Sequence, residues 1–410
     1  MATRDIGRGE AALRIPERLL LTAEVARSHA TVGPALADAT ADAGALGGDV
    51  ALAVALLVAP ILAPGGAWAQ YVALLPERPP GALHWTAAQR ARLSATPLPD
   101  EVRDVRSALR EIHGRLAPAL ARALPEAPEG TFGWRRFLWA YAMVESRGLC
   151  LTLRPDEPPT TCLVPAADMC NHAASAQLAW PEVEEDAAGG RSLVFRALVD
   201  VSSGAELLLY YGRLSCLQQL QFYGFIAAEQ LSREVIAVDL EMPDEAVAVA
   251  SLEEAAAAAE AQAALRVGLM RRHGLGLRHF LRDAPALPPA LVGAVRVCVL
   301  DGDELRAIDA AGDAAPDPTA APLSEAAEAR AVEALRGVVA SLVDAFAAAG
   351  GAEAAADEAD DEAEGEGDAE VDGAIDAYLD HQQRVLASAH RALDALEAGG
   401  AKRRRTTVDG

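Results

Sequence analysis

The chain has 410 residues, 51% of them apolar but only 4% aromatic, with five cysteines and a formal charge of −24. That length predicts two or three domains with a sizeable core. The charge argues against broad nucleic-acid affinity, because a phosphate backbone needs a positive surface. The cysteines (Cys150, Cys162, Cys170, Cys216, Cys298) are odd in number and form no CxxC pair, which speaks against a disulfide framework or a structural zinc cluster and for a reducing compartment.

Met1-Ala2-Thr3-Arg4-Asp5-Ile6 carries neither an apolar signal core nor a Ser/Arg-rich transit segment, so an intracellular location is expected, with plastid, cytoplasm and nucleus not distinguished. Gly7-Arg8-Gly9 reads as a turn leading into a strand, Ala11–Ile15, closed by Pro16. Residues 23–130 read as helical, interrupted by Pro-containing loops at 60–66, 76–81 and 97–100. The longest apolar run, Val50–Ala63, has fourteen residues; this is too short to cross a bilayer and predicts a buried helix, so no membrane partner is expected. Residues 131–147 predict a helix with Phe137, Ala140, Tyr141 and Val144 at i, i+3, i+4, i+7. The period then changes. Thr161–Pro165, Ser192–Val199 and Glu206–Tyr210 predict a small sheet, followed by a short helix over Ser215–Ile226.

Beyond Ala227, Val235–Leu240 could form one strand before Ala/Glu/Arg/Leu-rich helices run to about residue 349. Residues 350–373 hold no aromatic and almost no large apolar residue, which predicts disorder. Eleven acidic side chains lie between Glu353 and Asp372, leaving −13 of the −24 charges elsewhere; a basic protein partner suits such a surface. Deleting 353–372 is expected to leave the melting temperature nearly unchanged in a thermal scan, and a large drop would show that the stretch docks on the fold. A last helix, Ala374–Ala398, carries Ile375, Leu379, Val385, Leu386, Leu393 and Leu396 on one stripe; the tail 399–410 contains the basic run Lys402–Arg405.

Three segments put polar residues where apolar ones belong: Phe137–Arg147, Leu163–His172 and Gly204–Gly212, the last followed by Ser215 and Tyr223-Gly224-Phe225. Burying Asn171-His172 beside an apolar strand is costly unless both side chains are paired. Singly, each has a plain structural explanation: a turn or cap for Asn171-His172, a satisfied core tyrosine for Tyr211, a solvated helix end for Arg147. In this order, however, they resemble the FxWAxxxVxSR, LVPxADMxNH and GxExxxxYG…S…YGF signatures of SET-domain protein methyltransferases, in the subfamily of the Rubisco large-subunit lysine methyltransferase and the actin-histidine methyltransferase. Ala67-Trp68-Ala69-Gln70-Tyr71 with Leu74-Leu75-Pro76 is similar to that subfamily's W-x-x-Y-x-x-x-LP helix. Leu379–Leu386 is similar to the closing helix of its C-terminal substrate-binding domain.

The resemblance implies an α+β fold. It would comprise a β-rich SET core over 1–226 with a helical insertion at 23–130, knotted by its own C-terminal segment, and a mostly helical substrate-binding-like domain over 230–398. It implies S-adenosylmethionine as cofactor and a lysine, less so a histidine, of a non-histone protein as acceptor, with the enzyme acting as a monomer. Tyr211 matches the catalytic tyrosine; Arg147, Ser146, Asn171 and His172 match cofactor-binding positions; Asp168, Tyr223 and again Arg147 match substrate-binding positions. The resemblance has gaps. The subfamily's Gly-rich cofactor segment precedes the motif that begins here at Ala2, so the N-terminal strand is expected to be missing. Its Ser-Asn reads Ser215-Cys216, and an acidic residue usual in the 50–60 helix is replaced around Pro60. No zinc-binding cysteine cluster follows Phe225, which points away from histone-directed enzymes. Two rival readings are a metal hydrolase built on Cys162, Cys170 and His172, whose spacing matches no zinc site, and a degenerate SET scaffold that only binds partners, with the acidic stretch as its interaction segment.

Overall fold

The computed structural model describes residues 1–44, 46–243, 252–349 and 368–408, with the side chains of the last helix described up to residue 398. Most of the acidic stretch expected to be disordered, and the side chains of Lys402–Arg405, lie outside these residues. The chain divides into two compact units. One is built from Met1–Ala91, Thr96–Glu229 and the described residues up to Ile375 that open the last helix; the other contains Arg92–Ala95, the described residues from Gln230 to Ala349 and those from Asp376 onward.

In the first unit, helix α1 (Leu46–Leu62) is apolar all round and therefore buried all round: Val50 to Ala59 are each at most 4% exposed. It runs through Pro60 to Leu62, although Pro60 lacks the N–H that would pair with the Leu56 carbonyl. A short helix, α2 (Ala67–Leu74), follows. The segment around Pro97 and Pro99, expected as a loop, instead starts helix α3 (Leu98–Ala123), since the first helical turn needs no proline N–H. Helix α4 (Trp134–Arg147) was expected to bury one stripe. It buries every residue from Phe137 to Val144, because α1 packs on one side and α3 on another.

Around these helices lie short strands. β1 (Ala11–Pro16) pairs antiparallel with β7 (Arg191–Arg196), which also pairs with β6 (Glu182–Glu185). β4 (Thr160–Leu163) lies between β2 (Leu21–Thr22) and β3 (Leu149–Leu151), again antiparallel. β5 (Asn171–His172) pairs with β8 (Leu208–Leu209) in parallel. Strands this short are stable only when one face is covered. Here Ile15, Leu20, Leu149, Leu151, Cys162, Val164, Leu193 and Phe195 form a common core beneath them. The first residues join it: the Ala2 N–H donates to Ala205 O at 2.7 Å, and Ile6 bridges Val201. The unit is therefore α+β, with no doubly wound parallel sheet among the described residues. Helix α5 (Cys216–Tyr223) opens with a Ser215–Gln218 capping box.

The second unit is mainly helical: α6 (Leu252–Arg272), α7 (Pro289–Cys298), α8 (Gly302–Ala311) and α9 (Glu325–Ala349). Arg266 donates to the carbonyls of Val297, Cys298 and Leu300, satisfying the C-terminus of α7. Arg296, its side chain 6% exposed, forms a two-pronged pair with Glu328 at 2.6 Å on both prongs and also donates to Pro318 O. The expected strand near Val235 is β9 (Ile236–Asp239), and its partner β10 (Arg278–Leu281) interrupts a region read as helical throughout. The last helix, α10 (Ala369–Val408), begins earlier than Ala374. The Asp368 side chain accepts the Glu370 N–H at 2.9 Å, an N-cap that recruits residues expected to be disordered, and Val371 is 1% exposed. A deletion reaching Asp372 therefore removes a cap and a core residue and should lower the melting temperature, contrary to the sequence reading.

No single helix among the described residues is long and apolar enough to cross a membrane. α1 and α2 together pass on length and composition, but they are bent by 119°, and α1 is buried in the core.

Candidate functional site

The three polar-in-apolar segments converge within the first unit. α4 ends in Ser146-Arg147, and Gly148 follows as its C-cap. After β4 the chain turns through Ala166, whose φ of 72° is rare for a residue with a Cβ, into a single 3₁₀ turn, Ala167–Met169. That turn buries Asp168 completely at its side chain and aims it at Arg147. β5 and β8 then run side by side, bringing Asn171-His172 next to the chain entering Tyr211.

Arg147 Nη1 donates to the Asp168 carbonyl at 2.9 Å, touches Met169 Sδ at 3.6 Å and lies 3.7 Å from Asp168 Oδ2. Its Nε and Nη2 engage no described residue, and the side chain is 20% exposed. Three N–H bonds, on two nitrogens of a planar fork, therefore remain for a ligand carboxylate. Asp168 Oδ2 also accepts the Tyr71 hydroxyl at 2.5 Å, whereas Oδ1 is buried without a partner. Burial pushes the Asp168 carboxyl above its usual range, and the Tyr71 hydrogen bond and Arg147 pull it back.

The Tyr211 hydroxyl donates to Cys170 O at 2.7 Å, and the Tyr211 N–H donates to His172 Nδ1 at 3.1 Å. Burial pushes His172 below the usual histidine range, so Nδ1 accepts and the neutral ring carries its proton on Nε2. Burial, with Tyr223 nearby, pushes the Tyr211 hydroxyl up to about 12, so it stays protonated and acts as a hydrogen-bonding group, not as a base. Tyr211 stacks with Tyr223 at 4.9 Å and with His172 at 5.1 Å, and Phe225 lies 6.0 Å from Tyr223. This aromatic lining suits a cationic or methylated amine.

The remaining expected residues behave differently. The Ser146 hydroxyl donates back to Ala142 O within its own helix at 2.7 Å. Asn171 is exposed, with its side-chain amide on Glu206 Oε1 at 2.5 Å, so β5 contributes backbone more than the buried polar pair expected. Tyr71 received no role from the sequence, although it stood in the W-x-x-Y segment. A tyrosine in an Ala-rich helix was the available signal, but its partner lies 97 residues away. Among the described residues no three His, Cys, Asp or Glu side chains are grouped to hold a metal ion.

Two glycines shape the site. Gly212, at φ 114°, turns the chain directly after Tyr211. Gly224, at φ 69°, turns it between Tyr223 and Phe225, where a Cβ would stand 2.4 Å from Pro80 O. Gly224→Ala is therefore expected to cost about 2 kcal/mol in a denaturant titration, combining left-handed strain with a backbone clash. An unchanged midpoint would contradict this packing.

No protein-family profile matches the chain. Among curated proteins it is 24% identical over 249 residues to the chloroplastic fructose-bisphosphate aldolase-lysine N-methyltransferase of Arabidopsis thaliana, across 60% of this chain and 49% of that protein. The chain thus spans about half the length of that relative. Among solved structures it is similar to the SET domain of LSMT bound to MeLysine and AdoHcy, with a TM-score of 0.61, 16% identity, and coverage of 98% of this chain and 85% of that one. Rubisco LSMT bound to AdoMet gives a TM-score of 0.60 at the same identity and coverage. The chain therefore has the α+β fold of the Rubisco LSMT SET-domain structures, as its sequence motifs implied.

Proposed function

We propose that this chain is an S-adenosylmethionine-dependent methyltransferase acting on a lysine side chain of a non-histone protein. The observation that carries the reading is the convergence of Arg147, with Nε and Nη2 unengaged, and Tyr211, with its hydroxyl fixed on Cys170 O. The AdoMet bound to Rubisco LSMT and the lysine on which the Arabidopsis relative acts support the same reading.

The residues present fit that cofactor. Arg147 Nε and Nη2 can hold its carboxylate, and the β5–β8 pair offers backbone groups beside it. When bound, the cofactor supplies a methyl group activated on a sulfonium. The chain itself has mainly to orient acceptor and methyl, since in-line displacement depends on positioning and charge. Tyr211, donating to Cys170 O, keeps its lone pairs for the incoming amine and for weak C–H contacts from a polarised methyl. Tyr223 and Phe225 give the amine an aromatic wall. The lysine reaches reactivity by giving its ammonium proton to solvent, and no basic group in the site is needed for that step.

Calorimetric titration with S-adenosylmethionine tests the cofactor half of the proposal. Saturable one-to-one binding is expected; absence of binding would favour the scaffold that only binds partners.

A further inference from the structure

Tyr71 lies on α2, outside all three segments that build the site, yet it is 4% exposed and its hydroxyl donates to a carboxylate whose side chain is wholly buried. Phenylalanine would fill the same volume, so the hydroxyl needs its own explanation. The helix that carries it is held near both ends. Trp68 Nε1 donates to Leu19 O at 3.2 Å, and Trp139 Nε1 donates to Pro76 O at 2.8 Å just beyond α2. Tyr71 is thus presented on a fixed element.

Tyr71 and Arg147 both address Oδ2 of Asp168. That leaves Oδ1 as a buried acceptor with no donor from the protein. Buried carboxylate oxygens are satisfied in nearly all folded proteins, so Oδ1, closed to solvent and without a partner, calls for a donor that arrives with a ligand.

We propose that Tyr71 is a positioning residue for the acceptor: by tethering Oδ2 it keeps Oδ1 of Asp168 turned toward an N–H of the incoming amine. This rests on the methyltransferase reading above. Asp168 makes the contact, and Tyr71 sets which oxygen makes it. The charged and titratable groups facing this carboxyl are Tyr71 from α2, Arg147 from α4, and Tyr211 and Cys170 from the strand region.

The test is calorimetry on the full chain, with S-adenosylhomocysteine added first and Nε-methyllysine second, for the unaltered protein, Tyr71→Phe and Trp68→Phe. Tyr71→Phe is expected to weaken Nε-methyllysine about tenfold while S-adenosylhomocysteine affinity stays within about twofold. Its pH profile should also move. The lost hydrogen bond favoured the charged form of Asp168, so the Asp168 pKa rises, and amine binding falls away at a higher pH on the acid side. Trp68→Phe, which loosens the same helix but keeps the Tyr71 hydroxyl on Asp168, should weaken the amine less than Tyr71→Phe does and leave its pH profile in place. An unchanged amine affinity and profile in Tyr71→Phe would overturn the proposal, as would loss of S-adenosylhomocysteine binding in that variant, which marks a role in folding. Unaltered protein that binds S-adenosylhomocysteine but not Nε-methyllysine would overturn it and leave the cofactor reading standing. Unaltered protein that binds neither would overturn both.

Discussion

Tyr211→Phe is expected to lower turnover on the order of 10²-fold or more while cofactor affinity changes little. The ring is positioned through contacts that phenylalanine retains: the main-chain bond to His172 Nδ1 and the stacking on His172 and Tyr223. Only the hydroxyl is lost, and with it the bond to Cys170 O. That loss should cost about 1 kcal/mol of stability, which a denaturant titration can separate from the kinetic effect. A purely structural tyrosine would show that stability loss with near-normal turnover per folded molecule. Because the hydroxyl stays protonated at neutral pH, the residual activity of the variant should keep the pH dependence of the parent. A parent rate that rises as Tyr211 ionises would instead make the tyrosine a base and contradict its assignment as an orienting group.

Arg147→Ala should act on binding instead. Removing a charged donor to the cofactor carboxylate is expected to weaken S-adenosylmethionine by about 1.5–3 kcal/mol, roughly 10- to 150-fold in Kd by titration calorimetry. Some of this loss will be indirect, since Nη1 also holds the Asp168 carbonyl and lies beside its carboxylate. Arg147→Lys keeps the charge but not the fork, and should fall between the two. Equal cofactor affinity in the parent and Arg147→Ala would remove Arg147 from the cofactor site.

The parts of this site that were legible in the sequence are those where polar residues break an apolar segment. Arg147 ends a buried helix, Asp168 follows an apolar strand, and Tyr211-Gly212 ends another, so the cost of burying each was visible without coordinates. What stayed hidden depends on partners distant in the chain. Tyr71 acquires a role only when α2 is set against Asp168. β10 is four residues in helical surroundings, and it becomes a strand because β9 offers antiparallel partners for all four. Asn171 was read as a cofactor-binding position whose burial would require a partner; its side chain is instead exposed and paired with Glu206, 35 residues away in the chain. The early start of α10 followed from one local residue, Asp368, whose cap was masked by the acidic composition around it.

Methyl transfer from S-adenosylmethionine to a lysine side chain can be followed by the methyl group itself. The protein would be incubated with methyl-labelled S-adenosylmethionine and a cell extract, and the labelled polypeptide digested and read by mass spectrometry. Label is expected on the Nε atom of a lysine in a non-histone protein, with the signal reduced about 10²-fold by Tyr211→Phe. Bound cofactor with no label transferred, or label on the extract undiminished by Tyr211→Phe, would contradict it.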